Sequence, residues 1–142
     1  MERNMIYEKD LSFARISVRV TRAGADYNLL LAGGEKPHIG CCVLAVPRPS
    51  LTGDQSISVT SSVINITGHK DEQICRYLAE HMARNKNAVT VCSGGFHMDD
   101  ITEMQIEAVR KAVAEIAEEM TGELTKQMME KIQDKEIAEH EK

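Results

Sequence analysis

With 142 residues and 42% hydrophobic content, the chain has material for one ordinary core and little more. A formal charge of −5, three tyrosines, two phenylalanines and no tryptophan argue against a protein that tracks phosphate backbones or stacks bases. The opening MERNMIYEKD is charged where a secretory leader needs an apolar run, and Ser, Thr, Arg or Gly breaks every apolar run well short of the roughly 18 to 20 residues of a bilayer span. The expectation is a cytoplasmic protein whose partners include neither nucleic acid nor a membrane.

The first half of the chain has the patterning of strands. From Phe13 to Val20, apolar Ile16, Val18 and Val20 alternate with Arg15, Ser17 and Arg19, the period of a half-buried strand. Tyr27–Ala32 and Ile39–Val46 are more continuously apolar, as central strands are, and Gly24 and Gly33-Gly34 punctuate them. Short turns between consecutive strands predict an antiparallel meander. Within the third run, adjacent Cys41 and Cys42 point to opposite faces, which makes them a poor chelate or disulfide. With Cys75 and Cys92 they form no CxxC pair, and all four are expected to be small structural residues. After a Pro-rich loop, Ser56–Thr67 supplies a fourth alternating run.

From Asp71 the period changes. Ile74, Leu78 and Met82 lie four apart on one helical stripe that ends near Asn85–Asn87. Ala88–Cys92 is a short β-rich run, and the segment Ser93–Asp100 turns the chain into a second helix. Either Asp100 with Glu103 or Thr102 with Gln105 can form its capping box. Ile106, Val109, Val113, Ile116 and Met120 give that helix a core-facing stripe before Thr121-Gly122 interrupts it. Leu124, Met128 and Ile132 keep helical spacing in an otherwise charged stretch, predicting a frayed or partner-dependent helix. The fold class expected is α+β, an antiparallel sheet with two main helices packed on one face. Residues 1–122 form a single ligand-binding domain, and 123–142 a charged helical tail.

Three loops place polar residues at the ends of strands, where scaffolds present them to ligands. Gly33–Gly40 carries His38 at the mouth of a buried strand, an arrangement that a plain hairpin turn also explains. Thr67–Glu72 opens a helix with Gly68, His69 and Lys70, a possible phosphate seat, although Asp71 and Glu72 cap the helix and repel an anion. Ser93–Asp100 sets His97 two and three residues before Asp99 and Asp100, a spacing open to a divalent cation or to mere capping. HExxH, GxSxG, the P-loop and a GxGxxG after a strand are all absent, so the common catalytic signatures are missing.

In order along the chain, Gly33-Gly34 with Pro37-His38-Ile39-Gly40, then Ala45–Leu51, Gly68-His69-Lys70-Asp71 and Gly95-Phe96-His97-Met98-Asp99 resemble the LpdD-like prenylated-flavin chaperones. The similarity runs from about Phe13 to Met120. The resemblance implies an assembly-chaperone-like fold and a homodimer that holds reduced prenylated FMN, or FMN, with a divalent ion such as Mn²⁺ or Mg²⁺. It also implies delivery of that cofactor to the catalytic subunit of an apo UbiD-type decarboxylase acting on hydroxybenzoate- or gallate-type substrates. Catalysis would then belong to the client. Carried onto this chain, the resemblance makes Gly34, His38, Arg48, Gly68, His69, Lys70 and Gly95 cofactor-binding, and His38, His97 and Asp99 metal ligands. Two other readings stand beside it: a protein-assembly module without cofactor, and a small metal-dependent hydrolase.

Overall fold

The alternation in the first half converts into a sheet with one buried face. Ile16, Val18 and Val20 are buried in β2 (Arg15–Ala23), Tyr27, Leu29 and Leu31 in β3 (Asp26–Gly34), and Cys41, Val43 and Ala45 in β4 (Cys41–Pro49). The structure, a computed structural model, describes residues 4–51, 53, 54, 56–66 and 69–140. It adds a strand hidden by the charged N-terminus, β1 (Met5–Asp10), which buries Tyr7. With β5 (Ile57–Asn65) and β6 (Thr90–His97) the sheet has six strands in the order β1-β2-β3-β6-β4-β5. One ladder of core-facing residues crosses the whole sheet, in the order Met5, Val20, Leu29, Cys92, Val43 and Val63.

The expected meander holds for β2-β3, which β1 extends, and for the β4-β5 hairpin, but not between β3 and β4. There β6 is inserted, parallel to β3 and antiparallel to β4. Residues 35–40 therefore do not close a hairpin. They arch over the end of β6, where the Glu35 N–H donates to the His97 carbonyl at 2.9 Å and the Gly40 N–H to the Gly94 carbonyl at 2.9 Å.

Helix α1 (His69–Lys86) buries Ile74, Cys75, Leu78, Ala79, Met82 and Ala83 against the sheet, and Asn87, at φ 49°, ends it in the left-handed conformation common at such ends. Helix α2 (Glu103–His140) starts at the Thr102 box: the Gln105 N–H donates to Thr102 Oγ1 at 3.1 Å, and the Thr102 N–H to Gln105 Oε1 at 2.9 Å. Thr121-Gly122 does not break it. The Thr121 hydroxyl folds back to the Ala117 carbonyl at 2.7 Å, and one glycine costs only about 1 kcal/mol in a helix interior. Burial on α2 nevertheless stops at Leu124, and Met128, Met129, Ile132 and Ile137 are exposed. Among the described residues no helix is long and apolar enough to cross a membrane.

Both helices cover the same face of the sheet. Polar contacts pin α2 to β1, with the Tyr7 hydroxyl donating to Glu123 Oε2 at 3.0 Å and Lys9 Nζ 2.5 Å from Glu119 Oε1. Burial, and then the hydrogen bond to Glu123, push the Tyr7 pKa well above its ordinary value. On the opposite, uncovered face Ile6, Leu30, Leu44, Val46 and Ile64 remain exposed.

His81 of α1 stacks on Tyr77 at 5.8 Å between centroids, and its buried Nε2 lacks a hydrogen-bond partner. Burial lowers its pKa below 6.5 despite the carboxylate of Glu118. On acidification the unfolded chain thus takes up this proton first, so the His81 contribution is complete above pH 6.5 and is lost as pH falls below it. The difference in melting temperature between wild type and His81→Gln should therefore narrow or invert from pH 7.5 to about 5; parallel curves would contradict a buried neutral imidazole. Tyr7→Phe should cost about 1 kcal/mol in urea unfolding by removing the bond to Glu123.

Candidate functional site

The core stripe of α1 runs through positions 82, 78 and 75 toward the helix start, and one further step in phase places Asp71 against the sheet. A carboxylate is thus delivered where a hydrophobe is expected, and Asp71 is only 7% exposed. Its Oδ1 accepts the Phe96 N–H of β6 at 2.9 Å, while Oδ2 lies 3.1 Å from Nε2 of His38 on the arching loop. Space for this carboxylate exists because residues 40 and 95 lack side chains. A Cβ on Gly40 would fall 2.1 Å from Asp71 Oδ2, and one on Gly95 would fall 2.9 Å from its Cγ.

The next residues of β6 and the turn after it extend the polar cluster. His97 pairs through Nε2 with Asp99 Oδ1 at 3.1 Å, and its ring meets that of His38 edge to face at 5.7 Å. Two histidine–carboxylate pairs therefore stand side by side at the end of the sheet where the parallel strands β3 and β6 finish. His38 Nδ1 is buried without a hydrogen-bond partner.

Beside the pairs, between α1, β6 and α2, opens a cavity of about 210 Å³. Ile74, Phe96, Met98, Ile101, Ile106 and Val109 give it an apolar lining, and Asp71, Gln73, His97 and Arg110 supply its polar groups. Arg110 is held by Glu107 and by Gln73 Oε1, the latter at 2.7 Å. Few polar groups around an apolar hollow is the usual make-up of a small-molecule site. Below it Cys41, Cys75 and Cys92 are buried and free, as expected of structural residues. A hydrogen bond with Cys92, and then burial, push the Cys75 thiol far above its ordinary pKa, and burial does the same to Cys41, so neither is an activated nucleophile.

The residues singled out in the sequence are placed unevenly. His38, His97, Asp99 and Gly95 come together. Gly34 joins them through the backbone, opposite His97 in the β3–β6 register. Arg48 does not: it lies toward the other end of β4, roughly 20 Å along the strand at about 3.3 Å per residue, with Nε donating to Thr60. Gly68 lies outside the described residues, as do the side chains of His69 and Lys70. The metal set His38, His97 and Asp99 is not arranged as a centre, and among the described residues no group of three His, Cys, Asp or Glu side chains is placed to hold an ion. Each imidazole instead turns Nε2 toward a carboxylate, His38 to Asp71 and His97 to Asp99, so these residues do not fit a preassembled three-ligand site. Two residues of the cluster were missed in the sequence, Asp71 because an acid at a helix start reads as a cap, and Arg110 because it sits at the edge of a core stripe. The phase of Asp71 with Cys75, Leu78 and Met82 was the available signal.

Comparison with known proteins adds three findings. No curated protein matches the chain. A chain of the crystal structure titled as a novel chaperone complex for yeast 20S proteasome assembly superposes with a TM-score of 0.49 at 14% identity, over 88% of this chain and 96% of that one. The model of the prenylated flavin chaperone LpdD-like domain matches residues 12–136, nearly the full length, and the chain belongs to that family.

Proposed function

We propose that this protein is a carrier for reduced prenylated FMN, which it holds beside the His38–Asp71 and His97–Asp99 pairs and passes to an apo UbiD-type decarboxylase. The observation that carries the reading is an apolar cavity lined by Asp71 and His97, one member of each pair, within a chain of the prenylated flavin chaperone family. Pockets that bury most of a drug-sized ligand span about 300–1,000 Å³, and this one holds about 210 Å³. A flavin here is gripped at one part and left open at the rest, which suits a cargo that must be surrendered. Arg110 lines the cavity and is the side chain we assign to the anionic end of the ligand, which carries up to about two charges near neutral pH. Arg48 is too distant to share that task.

The homodimer implied by the family resemblance is assigned to the uncovered sheet face. Ile6, Leu30 and Ile64 lie on one row across it, with Leu44 on the next, and a second copy would remove this apolar surface from water. Sedimentation of wild type should give a dimer and Leu30→Glu/Leu44→Glu a folded monomer; a monomeric wild type removes the proposal.

The carrier reading is tested by anaerobic titration with reduced prenylated FMN and reduced FMN, with and without Mn²⁺ or Mg²⁺. Wild type should bind the prenylated form. Arg110→Ala should weaken binding by about tenfold, the worth of one charge-assisted contact of roughly 1.5 kcal/mol. No binding under any of these conditions overturns the reading in favour of a protein-assembly module without cofactor.

A further inference from the structure

We propose that Asp71 is a positioning residue for the flavin site, which acts by holding the proton of His38 on Nε2 and so fixing the tautomer and attitude of that ring. Three observations carry this. First, Asp71 Oδ2 is 3.1 Å from His38 Nε2, a separation at which two lone pairs repel, so the nitrogen facing the carboxylate carries the hydrogen. Second, His38 Nδ1 is buried without a partner. A buried unpaired N–H donor is rarer than an underused acceptor, so the orphan atom is the lone pair. Third, the carboxylate cannot swing away. Its Oδ1 is tied to the Phe96 N–H at 2.9 Å, and Gly40 and Gly95 press their backbones against it where any side chain would collide. The ring held in this way is the one that meets His97 edge to face at 5.7 Å, and His97 lines the cavity.

The same geometry defines a variant that separates positioning from folding. In Asp71→Asn the amide oxygen must keep facing the Phe96 N–H, because the opposite orientation sets an NH₂ against an N–H. The amide NH₂ is then left facing His38 Nε2, which can meet it only as an acceptor, and the imidazole proton moves to Nδ1. That places an unpaired N–H in the buried position, where wild type presents a lone pair.

The flavin part of the proposal rests on the carrier reading, whereas the tautomer does not. The experiment has two arms. Nitrogen-15 NMR of histidine-labelled protein at pH 8, without ligand, should show His38 Nδ1 as a pyridine-type and Nε2 as a pyrrole-type nitrogen in wild type, reversed in Asp71→Asn. Titration with reduced prenylated FMN should then show Asp71→Asn weakened about tenfold, the worth of one lost hydrogen bond to a charged group. In the double variant Asp71→Asn/His38→Ala, the Asp71 change should add nothing to the loss caused by His38→Ala. A wild-type His38 protonated on Nδ1, a tautomer unmoved by Asp71→Asn, or additive losses in the cycle would each overturn the proposal. A correct tautomer with no flavin binding by wild type would sink the carrier reading and the flavin role of Asp71 together, leaving a structural pair.

Discussion

The end of the sheet where β3 and β6 finish depends on one buried carboxylate. Asp71 belongs to α1, accepts from the backbone of β6 and faces the imidazole of the loop that leads into β4, so three segments far apart in sequence share a single side chain. A hydrogen bond to a charged group contributes about 1.5–3 kcal/mol, and a buried carboxylate left without partners costs more than that. Such a group is tolerated only where its partners are fixed beforehand. Here the sheet fixes Phe96, and two glycines, Gly40 and Gly95, leave the volume that the carboxylate fills. The polar cluster is thereby placed on rigid elements instead of a free loop, the condition for holding a ligand in one geometry.

This arrangement separates the two halves of the site by chemistry. The histidine pairs present a polar wall with defined donors and acceptors. The adjoining hollow between α1, β6 and α2 reaches the core only through Ile74 and Val109, and the rest of its lining comes from Phe96, Met98, Ile101 and Ile106 with a few polar side chains. A ligand with a broad ring system and an anionic tail can engage both halves at once, with the apolar lining taking up part of the ring. The buried thiols contribute volume and dryness, and the raised pKa values of Cys75 and Cys41 keep those two out of the chemistry.

Much of the fold was legible because periodicity reports burial directly. Ile16, Val18 and Val20 announce a half-buried strand, and the spacing of Val109, Val113, Ile116 and Met120 announces a core helix. β1 escaped because Glu8, Lys9 and Asp10 obscure the alternation around Tyr7, whose burial depends on α2 crossing more than a hundred residues later. The place of β6 escaped because strand order is a tertiary property: Gly33–Gly40 has the composition of a hairpin turn whether it joins neighbours or spans an intervening strand. His38, His97 and Asp99 were legible as candidates since polar residues on loops at strand ends invite attention. Asp71 was not, since helix capping explains an acid at that position equally well, and only the contact with Phe96 distinguishes the two.

The insertion of β6 between β3 and β4 also has a temporal side. During synthesis β3 and β4 emerge well before residues 90–97, and for that interval each exposes an unpaired edge toward the other. A β3–β4 hairpin closed by Gly33-Gly34 is then the local competitor of the native sheet, cheap in loop entropy and wrong in topology. The native order is reached only when α1 has returned the chain and β6 separates the two strands. Since Phe96 and His97 arrive with that last strand, the cluster around Asp71 is absent from every earlier intermediate. On the carrier reading, a chain able to hold its ligand has therefore already resolved this topological choice, and ligand affinity doubles as a report on complete folding.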